Sequence, residues 1–308
     1  MLPMLLVALS FVPAQGEPAW LSAGDHYRTV MQGDWRRRYL VHVPAKYDGQ
    51  SPAPVVLMLH GAGMNAARAV EFTGLNAKSD EEGFLLVYPE GTGLNPLLTW
   101  NSGGLPADLL KGKPDDVEFI RLLLDDLAKV ARVDAKRVYA TGLSNGGMMC
   151  YVLADKLSDR IAAIAPVAGT MTYDKPQPAR PVPVLHFHGT ADTIVPFAGF
   201  EGDPRFTLRF RSVDDTVAAW CDVNGCELKP RLEEQLAPPA AEAVDALKVF
   251  RRIFGPGKAS AEVILVVIDG GGHTWPGRVP PFSRLGKSTL HVAANDLLWE
   301  FFKRHALP

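Results

Sequence analysis

Gly142, Leu143, Ser144, Asn145 and Gly146 follow an apolar run, VYATGLS at 138–144, and precede a helical pattern that opens with Gly147, Met148 and Met149. A serine on so tight a strand-to-helix turn needs neighbours without side chains, because Cβ atoms at 142 and 146 crowd a backbone that folds back on itself. The spacing is that of the G-x-S-x-G elbow, which lifts a hydroxyl above the edge of a sheet at a helix N-terminus that favours developing negative charge. The competing reading is a Gly-rich helix start with a capping serine.

A serine hydroxyl is a weak nucleophile and needs a base oriented by a third group. In this elbow's chain order the acid follows the serine and the histidine comes last. The next strand-end acid is Asp192, in HGTADTIVP, and the next strand-end histidine is His273, in DGGGHTWPG. Asp214 and Asp215 are rival acids on a helical pattern, and Asp115 and Asp116 read as a helix N-terminus. An ester or amide carbonyl attacked by Ser144 develops an oxyanion that needs backbone donors. The Asn145 N–H follows the nucleophile, and the loop His60, Gly61, Ala62, Gly63 supplies a second donor, assigned to Ala62. A histidine base has to be neutral to accept the serine proton, so activity is expected to fall on the acid side. His186 and His188 share one strand face and raise a metal-ligand reading, but no third ligand stands at diagnostic spacing. No metal and no cofactor is expected.

These residues need a scaffold that brings several strand ends together. VVLMLHG (55–61), FLLVYPEG (84–91), VYATGLS, AAIAPVAG (162–169), VLHFHG (184–189) and VILVVIDGGG (263–272) are near-continuous apolar runs ending in Gly, the pattern of strands buried on both faces. Residues 26–44 alternate as two amphipathic strands. Helical patterns cover 65–82, 116–131, 146–158, 212–222 and 287–303. Strand and helix in alternation imply an α/β fold with a mostly parallel sheet and helices on both faces, whose C-terminal strand edge carries the catalytic loops. Two long irregular stretches, 92–115 and 192–211, are expected to flank the site, and 227–261 is expected to be a helical insertion before the last strand.

Composition narrows the partners. Across 308 residues, 47% are hydrophobic and 21% charged, enough apolar material for a full core. The formal net charge of −2 argues against nucleic acid or an anionic membrane surface and for a small or neutral partner. Three cysteines exclude a disulfide scaffold. The apolar run 2–12, LPMLLVALSFV, followed by Pro13, Ala14, Gln15 and Gly16, fits a signal peptide over 1–16 ahead of a single catalytic domain over 17–308, and hence a secreted or periplasmic protein. The alternative is an N-terminal helix docked on the domain. No membrane anchor is indicated, since a spanning helix needs about 20 apolar residues. In an exported chain Cys221 and Cys226 are expected to form a short disulfide, leaving Cys150 as a buried thiol.

The blocks LHGAG, YPEGTG with TWN, DDVEFI, VYATGLSNGGMM, APVAG, HFHGTADTIVPF, NGC and GGGHTWPG occur in this order from about residue 26 to the end. In these the chain resembles the secreted polyhydroxybutyrate depolymerase and feruloyl esterase-like α/β-hydrolases. The resemblance implies an α/β-hydrolase fold and hydrolysis of small or oligomeric carboxylic esters, with Ser144 as nucleophile, His273 as base and Asp192 as its orienter. It also implies that Trp100 and Trp275 border an acyl or aryl pocket. One departure is that residues 227–308 contain no Cys to pair with the NGC block. Two rivals stand beside this reading. A serine peptidase of the same fold shares HGTAD with a later His, and a non-catalytic binding protein could keep the fold, although all three triad positions are filled. No Ser/Thr-rich linker or further module follows 287–303, so soluble esters are expected to be hydrolysed faster than crystalline polymer.

Overall fold

The computed structural model describes residues 20–103, 111–200, 202, 209–237 and 247–308. The proposed leader therefore lies outside the described residues. Among the described residues the strands are β1 (Gly24–Gln32), β2 (Trp35–Val43), β3 (Ala53–Leu59), β4 (Leu85–Pro89), β5 (Thr92–Leu94), β6 (Leu97–Thr99), β7 (Val133–Leu143), β8 (Ala163–Val167), β9 (Val184–Gly189), β10 (Leu232–Leu236), β11 (Val249–Phe254) and β12 (Val263–Ile268). The α-helices are α1 (Ala66–Thr73), α2 (Leu75–Glu82), α3 (Asp116–Leu127), α4 (Asn145–Lys156), α5 (Val213–Asn224) and α6 (Ala294–Phe302).

Ten strands form one sheet in the order β1-β2-β4-β3-β7-β8-β9-β12-β11-β10. The six central strands, β4 to β12 in that order, are parallel, and an antiparallel pair extends each edge. Alternation along each buried strand divides the core in two. Val55, Leu57 and Leu59 join α3, α4 and α5 on one face, whereas Val56 and Met58 join α1, α2 and α6 on the other. Both faces are covered, which is why the central strands are apolar without a break. This is an α/β-hydrolase fold, and His60, Ser144, Asp192 and His273 all follow the C-terminal ends of central parallel strands.

Three expectations change. Residues 65–82 are two helices, because Gly74 takes a left-handed conformation (φ 59°) and its N–H caps α1 on Val70 O. The segment read as a helical insertion at 227–261 carries β10 and β11, antiparallel partners with cross-strand ion pairs Glu234–Arg251 and Glu233–Arg252; residues 238–246 lie outside the described residues. Residues 287–293 are not helical. Their backbone is drawn onto the histidine loop, where Gly272 N–H donates to Lys287 O (2.9 Å) and Gly277 N–H to Thr289 O (2.8 Å).

Candidate active site

Ser144 sits between β7 and α4 at φ 57°, ψ −122°, a conformation that side chains rarely adopt and that functional sites hold by surrounding structure. Gly142 and Gly146 make it possible. A Cβ on Gly142 would lie 2.6 Å from the backbone of Gly146, and one on Gly146 would overlap Leu59 O. Ser144 N–H donates to Val167 O (2.9 Å), and Met148 N–H returns to Ser144 O (2.9 Å). Although Ser144 holds the N-cap position of α4, its Oγ makes no capping hydrogen bond. Ser144 instead lines a cavity of about 680 Å³ together with His273, Ala62 and Ile194.

The acid and histidine loops are laced together behind that cavity. Thr190 N–H donates to Ile268 O (3.0 Å) and Ala191 N–H to Gly271 O (2.9 Å), so the ends of β9 and β12 are tied to each other. Asp192 Oδ1 accepts from the N–H groups of Ile194 (2.8 Å) and Val195 (2.9 Å), and Oδ2 lies 2.8 Å from His273 Nδ1. Burial acts to raise the Asp192 pKa. The hydrogen bond and charge of His273, the Val195 amide and His188 outweigh it, holding the carboxyl below its ordinary value. An ionised carboxylate can only accept, so the proton on His273 sits on Nδ1 and leaves the Nε2 lone pair free.

Behind Asp192, His186 and His188 join Tyr151 in a chain of buried side chains that the strand pattern does not reveal. Val195 O accepts from His188 Nε2 at 2.8 Å, which puts the His188 proton on Nε2 and makes Nδ1 an acceptor. His186 Nε2 therefore donates to His188 Nδ1 (3.0 Å), and Tyr151 O–H donates to His186 Nδ1 (2.7 Å). Every proton in the chain points toward the Asp192 loop, and His188 Nε2 stands 3.6 Å from Asp192 Oδ2. Burial drives the pKa of both histidines down, with each other's proximity adding to this for His186. Their nitrogens are thus taken by hydrogen bonds, which removes the metal-ligand reading of this pair.

The opposite side of the elbow is fixed by Asn145. Its Oδ1 accepts from Thr99 Oγ1 (3.0 Å) and Trp100 N–H (2.7 Å), while Nδ2 donates to Trp100 O (3.2 Å) and Ser102 Oγ (3.0 Å). The Asn145 side chain is a staple for the TWN loop, leaving its backbone N–H at the helix start as the oxyanion donor candidate. The same loop is held by Asp116, whose Oδ2 accepts from Asn101 N–H (2.7 Å) while Oδ1 pairs with buried Arg37 (2.6 Å). Asp115, by contrast, is the N-cap of α3. Ala62 is exposed at the cavity wall, and among the described residues no acceptor meets its N–H. His60 beside it is buried and neutral. Its Nε2 accepts from Gly91 N–H (3.0 Å) and its Nδ1 donates to Gly61 O (2.9 Å), and burial pushes its pKa down to about 4.

The two tryptophans depart from expectation. Trp100 is fully buried, with its Nε1 donating to His60 O (2.9 Å), and Trp275 is 1% exposed, with its Nε1 donating to Asn295 Oδ1 (2.8 Å). Neither lines the cavity. They brace the loops that carry the site and contribute no wall to it. Cys150, Cys221 and Cys226 are free thiols, so the expected bridge is absent: Cys221 is buried on α5, and Cys226 Sγ turns to Ala261 O (3.6 Å).

Comparison with known proteins agrees with this geometry. Residues 39–180 match the family model for esterase PHB depolymerases. The chain is 33% identical over 315 residues to "Putative esterase NocK" of Nocardia uniformis subsp. tsuyamanensis, covering 97% of this chain and 88% of that protein. It is 29% identical over 283 residues to feruloyl esterase B of Piromyces equi, covering 88% of this chain and 46% of that longer protein. The acetyl xylan esterase from Aspergillus awamori shares the fold, with a TM-score of 0.62 at 17% identity over 90% of this chain and 99% of that one. The chain belongs to the esterase PHB depolymerase family and is a carboxylic ester hydrolase.

Proposed function

We propose that the protein is an exported serine esterase in which Ser144, His273 and Asp192 act as nucleophile, base and orienter. The observation that carries the reading is the opening of Ser144 and His273 on one cavity, with His273 Nδ1 tied to buried, ionised Asp192. Ser144 Oγ attacks the ester carbonyl and gives its proton to His273 Nε2. The N–H groups of Ala62 and Asn145 take the charge on the carbonyl oxygen. Collapse of the tetrahedral intermediate expels the alcohol, which takes the proton from Nε2, and water then releases the acid by the same steps in reverse.

The substrates are short hydroxyacyl, feruloyl or acetyl esters. This rests on the family and on the feruloyl esterase among the relatives. Export rests on the leader-like run at 2–12. Ser144→Ala removes only Oγ and is expected to lower turnover by about 10⁶ without loss of fold. A purified Ser144→Ala protein that retains most of its activity on methyl ferulate and hydroxybutyrate oligomers would overturn the assignment.

A further inference from the structure

The lining of the cavity carries charge that the reaction does not use. Arg68, Arg278 and Arg284 line it together with a single carboxylate, Glu71. Arg68 Nη1 donates to Gly63 O (3.1 Å), and Arg278 Nη2 donates to the backbone oxygen of Glu71 (3.2 Å). The Arg278 guanidinium also lies across Gly74, where a Cβ would stand 3.0 Å from its Cζ. The Arg284 guanidinium rests 5.0 Å from the centroid of the Phe282 ring. Bonds to carbonyls and an aromatic face orient these groups without neutralising them. Among the described residues none of the three forms an ion pair. The excess is local, because the whole chain carries a net charge of −2.

The same cavity has an apolar lining that includes Phe72, Val279, Phe282 and Leu285. A ligand complementary to this surface has an apolar segment next to its reactive carbonyl and an anionic group beyond it. Guanidinium groups offer a carboxylate paired, charge-assisted hydrogen bonds that a neutral amide cannot match. Arg68 sits on α1, and Arg278 and Arg284 sit in the loop beyond His273, so the two segments come together at the lining of the catalytic cavity.

We infer that the enzyme selects esters bearing a free carboxylate several bonds from the scissile carbonyl, and that Arg68, Arg278 and Arg284 recognise that carboxylate. The inference rests on the serine esterase reading. Two matched pairs test it and separate the sides of the ester: monomethyl adipate against its ω-amide, with the anion on the acyl side, and 6-acetoxyhexanoate against 6-acetoxyhexanamide, with the anion on the alcohol side. The expected result is a kcat/KM about tenfold higher for the carboxylate in at least one pair, a size that a few partly exposed charge pairs supply. The ratio falls toward one in about 1 M NaCl, where screening acts within about 3 Å. It falls likewise in the triple variant Arg68→Gln/Arg278→Gln/Arg284→Gln, whose fold is checked by thermal melting.

A ratio of one or less in both pairs, with Ser144-dependent turnover of the amides intact, overturns the inference and leaves the esterase reading standing. A tenfold ratio that survives in the triple variant overturns the assignment to these arginines. Failure of all four esters and of 4-nitrophenyl acetate overturns the esterase reading, and this inference with it.

Discussion

On the Asp192 side of the cavity, Tyr151, His186 and His188 are buried and pass hydrogen bonds in one direction until they reach Val195 O beside the carboxylate. At the cavity lining, Arg68, Arg278 and Arg284 are exposed and, among the described residues, hold backbone carbonyls or an aromatic ring. The first wall has one arrangement of protons compatible with its partners, and a buried network satisfied in this way is rigid. The second wall has donors to spare. Chemistry that needs a fixed geometry stands on the over-determined wall, and recognition of a variable substrate falls to the wall with unspent hydrogen-bonding capacity.

The buried polar groups and the exposed rim differ most sharply in acid. His60, His186 and His188 are buried neutral, each with its pKa depressed by burial, His60 to about 4. The unfolded chain takes up these protons near pH 6.5 and the folded chain does not, so stability is fully present above that pH and is lost as pH falls toward 4. His60 alone accounts for about 3 kcal/mol of this loss. Urea denaturation from pH 7 to pH 4 checks it; a flat unfolding free energy across that window would show that the buried histidines are already protonated or accessible.

His188→Phe tests the directed chain. It leaves His186 Nε2–H without an acceptor and frees the Asp192 loop from its side-chain tether. The expected cost is about 2 kcal/mol of stability, together with a fall in kcat at nearly constant KM. His188→Gln, which keeps a donor, recovers part of kcat. Equal activity in the phenylalanine and glutamine variants would reduce His188 to a packing residue. The rim behaves oppositely. Arg68→Gln is expected to change the unfolding free energy by less than about 0.5 kcal/mol, since it removes an exposed charge outside any network. A larger loss in thermal or urea unfolding would mean that the rim is structural.

Much of the buried wall's outline was legible in the sequence, because steric and order constraints leave marks. Gly142 and Gly146 are demanded by the elbow, and Asp192 and His273 stand immediately beyond apolar runs in the required order. The hydrogen-bond chain behind them was not legible. His186 and His188 share a strand face, but their partner Tyr151 comes from α4, and only packing brings it to them. Trp100 and Trp275 were misassigned because adjacency to a catalytic loop does not say which way a side chain points; both turn into the core to hold carbonyl and amide partners. In 227–261, proline and glycine obscured the alternation of LEEQL and VFRRIF, whose paired charges identify two strands. The rim arginines gave no signal, since positions 68, 278 and 284 converge only after folding.

The central claim is that Ser144 is the nucleophile on the cavity it shares with His273. Reaction with a fluorophosphonate, followed by peptide mapping by mass spectrometry, tests it directly. The account predicts one phosphonyl group per chain, on the peptide containing Ser144, with loss of ester hydrolysis in proportion to labelling and no label in Ser144→Ala. Hydrolysis that continues undiminished while Ser144 is labelled, or a label and inactivation that map to another residue, would contradict it.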